Sequence, residues 1–136
     1  MKLLSSLVVA ASLVLAAGCA SQSVPPAQSV SFLQPVDGAT VTSPFVVKFG
    51  VTGMQVQPAG TMAPDTGHHH LLINAEDVAT MAVIPMDETH LHFGKGQTET
   101  TVTLKPGKYK LTMQFGNGAH QAYGPAMSKS IQVTVQ

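Results

Sequence analysis

Histidine is the residue whose type and spacing carry chemistry in this sequence. All six histidines fall in three short motifs: Gly67-His68-His69-His70-Leu71-Leu72-Ile73, His90-Leu91-His92-Phe93-Gly94 and Gly118-Ala119-His120-Gln121. Side chains alternate between the two faces of a strand. A strand through the first motif therefore places His69, Leu71 and Ile73 on one side and His68, His70 and Leu72 on the other. The His69 side carries the larger apolar pair and is expected to face the core. In the second motif Leu91 and Phe93 turn inward, and His90 and His92 point together the opposite way. Cross-strand neighbours are close enough for several imidazoles to converge on one ion. The expected metal set is His68, His70, His90 and His92, with His120 as a further ligand from the loop after Phe115.

Imidazole suits zinc, copper, nickel and iron. Asp65, Asp87 and Glu88 flank the motifs and are candidates for direct or supporting contacts to an ion. Soft thioethers favour cuprous copper, which places copper ahead of zinc. Met113 belongs to a strand face, leaving Met54, Met62, Met86 and Met127, near loops, as the methionines free to ligate. A different reading of the same histidines is a hydrogen-bond network that ties loops together, and a third is a pH-responsive cluster.

The elements that must hold these residues read as strands. Apolar runs of a few residues are separated by Gly, Pro, Asp and Asn, and no stretch sustains a helical period. Strands are expected over residues 30–33, 45–51, 68–75, 78–84, 98–104, 109–115 and 130–136. In the sixth, Tyr109, Leu111, Met113 and Phe115 share one face, with Lys110, Thr112 and Gln114 on the other. In the last, Ile131, Val133 and Val135 face inward, opposite Gln132 and Thr134. Pro106-Gly107 supplies the turn before Lys108. About seven short strands in one domain predict an all-β, immunoglobulin-like antiparallel β-sandwich over residues 30–136.

The N-terminus reads as processing sequence. Lys2 precedes a small, apolar run over residues 3–17, too short to span a bilayer as a stable helix, which fits a signal peptide over residues 1–18. Leu15-Ala16-Ala17-Gly18-Cys19 resembles the lipobox of bacterial lipoproteins, with Ala16 where leucine is more usual. That resemblance implies cleavage before Cys19, a lipid on its thiol and attachment to a membrane. Cys19 is the only cysteine of the chain, so no intramolecular disulfide is open to it. Residues 19–29 are polar and proline-bearing and read as a flexible tether. Ala20, in the place where aspartate often retains lipoproteins in the inner membrane, implies an outer membrane, periplasmic face in a diderm cell.

Composition narrows the partners. The chain has seven lysines, no arginine and seven acidic residues, and loss of Lys2 leaves six lysines against seven acids. No nucleic-acid partner is expected from so neutral a surface. No Gly-x-Ser-x-Gly elbow or His-Glu-x-x-His motif is present, and Gly94-Lys95-Gly96-Gln97 lacks the helix a phosphate loop requires, so it reads as a tight turn.

Pro35-Val36-Asp37-Gly38, the two histidine motifs, Phe93-Gly94-Lys95-Gly96-Gln97-Thr98-Glu99, Leu104-Lys105-Pro106-Gly107 and the segment from Phe115 to His120 together resemble a family of bacterial secreted domains, domain of unknown function 4399. The resemblance covers nearly all of the expected domain. It implies a small exported or lipid-anchored β domain without an assigned activity. Asn74 stands where that family is expected to favour aspartate. His90-Leu91-His92-Phe93-Gly94 also looks like the copper-binding strand of copper-zinc superoxide dismutases, but lacks the residue before phenylalanine. The chain also lacks that family's disulfide pair and a guiding arginine. The sequence thus predicts a non-enzymatic envelope lipoprotein that binds a transition metal, copper before zinc, for storage, delivery or protection. A structural envelope module and a copper-dependent redox enzyme are the alternatives.

Overall fold

A computed structural model describes Val24 and residues 27–136. The expected signal peptide over residues 1–18 and Cys19 lie outside the described residues, as does most of the expected tether.

Nine strands form in chain order among the described residues: β1 Ser29–Gln34, β2 Thr40–Val41, β3 Phe45–Thr52, β4 Gln55–Val56, β5 Thr66–Ile73, β6 His90–His92, β7 Glu99–Val102, β8 Gly107–Gly116 and β9 Ser128–Val135. One short 3-10 turn, Pro125–Met127, precedes β9. A small sheet has the order β1-β3-β7, and a larger one runs β2-β9-β8-β5-β4, with β6 added to β5. The long pairings are antiparallel, while the two-residue strands β2 and β4 join β9 and β5 in parallel. The all-β sandwich expected from the sequence is the fold observed.

Alternation builds its core. Phe45, Val47 and Phe49 from β3 are buried with Leu71 and Ile73 of β5, Leu111, Met113 and Phe115 of β8, and Ile131, Val133 and Val135 of β9. Each full burial of such a side chain contributes about 1.5–3 kcal/mol. Phe93, just past β6, joins this cluster, its ring centroid 5.0 Å from that of Phe49. Met54 and Met127 are buried in the same core, so these two methionines fill space rather than approach an ion.

β5 is the strand that matters most for the site. All eight of its residues are buried. β8 runs along one edge, while β4 and β6 share the other edge at its two ends. Asn74 closes the strand. With φ at 52°, it donates its main-chain N–H to the carbonyl of Lys110 and accepts the Lys110 N–H on its side-chain oxygen, both at 2.8 Å. That role needs an amide or carboxylate oxygen and no ion.

The strand expected over residues 78–84 does not form. Ala79 to Ala82 close a turn through the Ala82 N–H to the Ala79 carbonyl, and Met81 takes a φ of 64°, which breaks strand geometry. Val83 and Gln121 make only an isolated bridge. The segment instead crosses the outer face of the larger sheet as a cover, with Ile84 buried beneath it. β5 has the eight residues expected but begins two earlier, at Thr66, and stops at Ile73 where Asn74 takes a positive φ, while β7 is shorter than expected and ends at Val102 where the chain turns away.

Candidate metal centre

Parity on β5 divides its histidines between two environments. His69 points into the sandwich, where its ring lies 4.9 Å from Phe49 and 5.0 Å from Phe115 between centroids. His68 and His70 point out from the other face of the same sheet. In the register of β5 with β6, His70 stands opposite His92, and Leu72 opposite His90. The His70–His92 pair brings the two motifs together, with ring centroids 5.2 Å apart. His68 completes the group at 4.7 Å from His70 and 5.0 Å from His92. One potential ligand atom from each of His68, His70 and His92 lies within 4.8 Å of the others, so these three can hold a metal ion.

His120 arrives from the turn after β8. Asn117 shapes that turn by accepting the N–H groups of Ala119 and Gln121 on its side-chain oxygen, at 2.9 and 3.0 Å. His120 itself has a φ of 63°. Its Nε2 lies 3.2 Å from Nε2 of His92, and its ring centroid 5.0 Å from that of His68. Four imidazoles thus face one another.

His90 is the expected ligand that the structure does not bring to this group. Opposite Leu72 rather than His70, it sits two residues further along the ladder, about 6.8 Å at strand rise. Its Nδ1 is 2.9 Å from Oδ1 of Asp87. Asp87 also accepts from the Thr89 N–H and hydroxyl, and these bonds hold its carboxyl down to about 2. Asp65 accepts instead from the Gln28 side-chain amide, and Glu88 is exposed. None of the three flanking acids belongs to the imidazole group.

Burial and glycine shape the site. A Cβ on Gly94 would overlap the His92 ring, and one on Gly116 would crowd His70 Cε1 and Ile84 Cδ1 at 3.1 Å. These two glycines leave room for the rings, a signal that the Phe93-Gly94 motif offered in the sequence without a partner to explain it. Gln114, opposite His70 in β8, is buried and clamps the cover segment. Its side-chain oxygen accepts the Val78 N–H at 3.1 Å and its Nε2 donates to the Val78 carbonyl at 2.7 Å. Met81 and Ile84 fasten the same cover to the His120 turn through their N–H groups, donated to the carbonyls of Ala122 and His120. Ile84 and Gln114 were not identifiable as parts of the site, because only the folded chain sets Gln114 opposite His70 and brings Ile84 against Gly116.

The electrostatics follow from this enclosure. Burial pushes His68 down to about 4, with His92 and His120 adding to the shift, and pushes His69 to about 4, assisted by His68. His70 is lowered furthest, to about 3, by burial and then by His68, His92 and His120; the main chain of Gln114 opposes the shift without reaching hydrogen-bond geometry on either ring nitrogen. His92 is also lowered, by burial and by His120. All of these rings are therefore neutral near pH 7. Neither ring nitrogen of His68, His69 or His70 has a hydrogen-bond partner among the described residues. An unmet buried polar group costs about 1–3 kcal/mol. For His68 and His70 an ion shared with His92 would satisfy one nitrogen each, and the donor set fits that use: neutral imidazoles are metal ligands. His69, between two phenylalanines, has no such outlet.

Comparison with curated proteins and with solved structures gave no match. Residues 47–136 match the family described as Domain of unknown function (DUF4399). The matched segment runs from β3 to the end of β9 and contains every histidine of the cluster, and the chain belongs to this family.

Proposed function

We propose that this protein is an envelope lipoprotein whose β-sandwich binds a transition-metal ion, copper before zinc, for storage, delivery or protection rather than for catalysis. The observation that carries the reading is the pairing of unmet ring nitrogens on His68 and His70 with a third imidazole, His92, in ligating range. His120 supplies a fourth ring. The same observation weighs against a histidine hydrogen-bond network, because the fully buried rings make no such bonds. Among the described residues no helix is long and apolar enough to cross a membrane; in this reading the attachment comes from a lipid on Cys19.

The test is direct. The full chain, purified untagged in detergent, should carry close to one equivalent of metal by elemental analysis, and the apo protein should take up one equivalent on titration. Metal-free protein that binds neither copper nor zinc would overturn the reading. Cys19→Ser should release the protein from membranes after a salt wash while leaving the metal equivalent unchanged; a Ser variant that still sediments with membranes rules out the lipid anchor.

A further inference from the structure

The segments around the His120 turn share a composition. Residues 57–64, 78–86 and 117–127 contain no aspartate, glutamate, lysine or arginine. The fold sets them side by side: Gly60 donates its N–H to the Gly118 carbonyl, Ile84 to that of His120 and Met81 to that of Ala122. Ile84 turns inward and is buried, while Met62, Met81, Val83 and Met86 are left exposed at 64%, 57%, 63% and 63%. Of the seven large apolar side chains exposed among the described residues, these segments carry four. Ala119, at the tip of the turn, is exposed between them. Apolar residues scattered singly over a surface are ordinary, whereas a charge-free group on adjoining segments marks a docking face. The acids at its borders are already bonded, Asp65 to Gln28 and Asp87 to Thr89 and His90.

The path of the chain into β1 indicates what covers this face. Gln28 Nε2 donates to Asp65 Oδ1 at 2.7 Å. Asp65 follows Met62 by three residues and precedes Thr66, whose carbonyl accepts the Tyr123 hydroxyl at 2.6 Å. The chain therefore enters the sandwich at the edge of the uncharged face. Lys108, by contrast, stands at the other end of β8 from Gly116, about 27 Å away at strand rise. Cys19 and Gln28 are nine residues apart, a reach of at most about 32 Å when extended. A lipid on Cys19 keeps the face within that reach of a bilayer, so docking there is intramolecular and a modest apolar area suffices, whereas a soluble protein partner has to be recruited from solution. Uncharged apolar side chains also enter the headgroup boundary without dehydrating a charge.

We propose that the face formed by Met62, Met81, Val83, Met86 and Ala119 docks on the lipid bilayer, orienting the sandwich with its His120 turn toward the membrane. This rests on the lipid anchor read at Cys19 and not on the metal. The full lipidated chain should be reconstituted in phosphatidylcholine vesicles with brominated acyl chains, carrying an environment-sensitive fluorophore on Ala119→Cys or, as the far-end control, on Lys108→Cys. The probe at position 119 should be quenched at least about threefold more than the probe at position 108. Met81→Asp with Val83→Asp, added to the Ala119→Cys chain, should bring its quenching down to the control level. A parent chain that a salt wash strips from the vesicles would overturn the anchor reading itself. An anchored chain with equal quenching at positions 119 and 108 would overturn the docked face alone. A probe at position 119 that is shielded only as protein density rises, without quenching by lipid bromine, would give the face to a second copy of the chain instead. Full quenching in the double aspartate variant, in a chain that melts like the parent, would overturn the part assigned to the apolar side chains.

Discussion

His69 and His70 are neighbours in the chain, equally buried, and face opposite sides of one sheet. On the inner side His69 replaces what an apolar ring would do between Phe49 and Phe115. Across the sheet His70 meets three other imidazoles. Both rings carry unmet nitrogens, but only the outer face offers them a shared partner. Burial alone therefore does not make a ligand: convergence does. The inner face should control stability, and the outer face should control metal affinity.

The largest expected effect breaks the outer face. His70→Ala combined with His92→Ala should lower metal affinity by about a thousandfold or more, measured by chelator competition, since two of the three converging donors are gone. Denaturant melts of the same apo variant should show a far smaller change. Parent-like binding in the double variant would place the site elsewhere.

Acid should act on both faces together. Unfolded histidines take protons near pH 6.5, whereas folded His68 and His69 do so near 4 and His70 near 3. Between those values the unfolded chain binds more protons, so stability falls as pH drops from about 6.5 toward 4. Each ring contributes a slope of up to about 1.4 kcal/mol per pH unit. Urea melts at pH 7, 6 and 5 should show the loss in the apo protein. The lowered values also mean that protons compete weakly for the ligands, so metal affinity should hold near pH 6 and fall steeply only as the pH nears about 4. An unchanged urea midpoint from pH 7 to 5 would contradict the enclosure.

Leu111→Ala on the inner face should cost about 2–4 kcal/mol, with Val133→Ala near the lower end, while metal stoichiometry stays at one. Gln132→Ala, exposed on β9, should cost little. Thr112→Ala should fall between them, at about 1 kcal/mol, because Thr112 is buried and its hydroxyl is 2.7 Å from that of Ser130. Equal losses in all four variants would show that the faces are not distinct.

His69→Phe removes an unmet polar ring from an aromatic pocket and one of the acid-sensitive groups. It should retain about 1–2 kcal/mol more stability than the parent at pH 5, with metal affinity changed less than about twofold. A tenfold weaker affinity would mean that the two faces are coupled. The smallest effect belongs to His90→Ala. Its bond to Asp87 is half-exposed, so stability should change by under about 1 kcal/mol and metal affinity should stay close to that of the parent. A loss matching that of His92→Ala would return His90 to the ligand set.

Much of this was legible in the residues. Alternation of Tyr109, Leu111, Met113 and Phe115 fixed one face of β8, and the Gly67 to Ile73 motif divided His68 and His70 from His69. Residues 78–84 misled because their apolar content resembles a strand, whereas the positive φ of Met81 and the anchoring of Val78 by Gln114 make them a cover. The methionines misled in the same way: spacing near a loop could not show that Met54 and Met127 are buried in the core.

Side-chain parity is a property of consecutive residues in one extended strand, so the sequence by itself determined which histidines share a face. Register is a property of two strands. Sliding β6 along β5 by two residues would preserve every inward and outward assignment while exchanging His90 for His92 opposite His70. Only the tertiary structure decided that choice, because the pairing depends on where Phe93 packs against Phe49, where Gly94 leaves space for a ring, and where Asp87 holds His90.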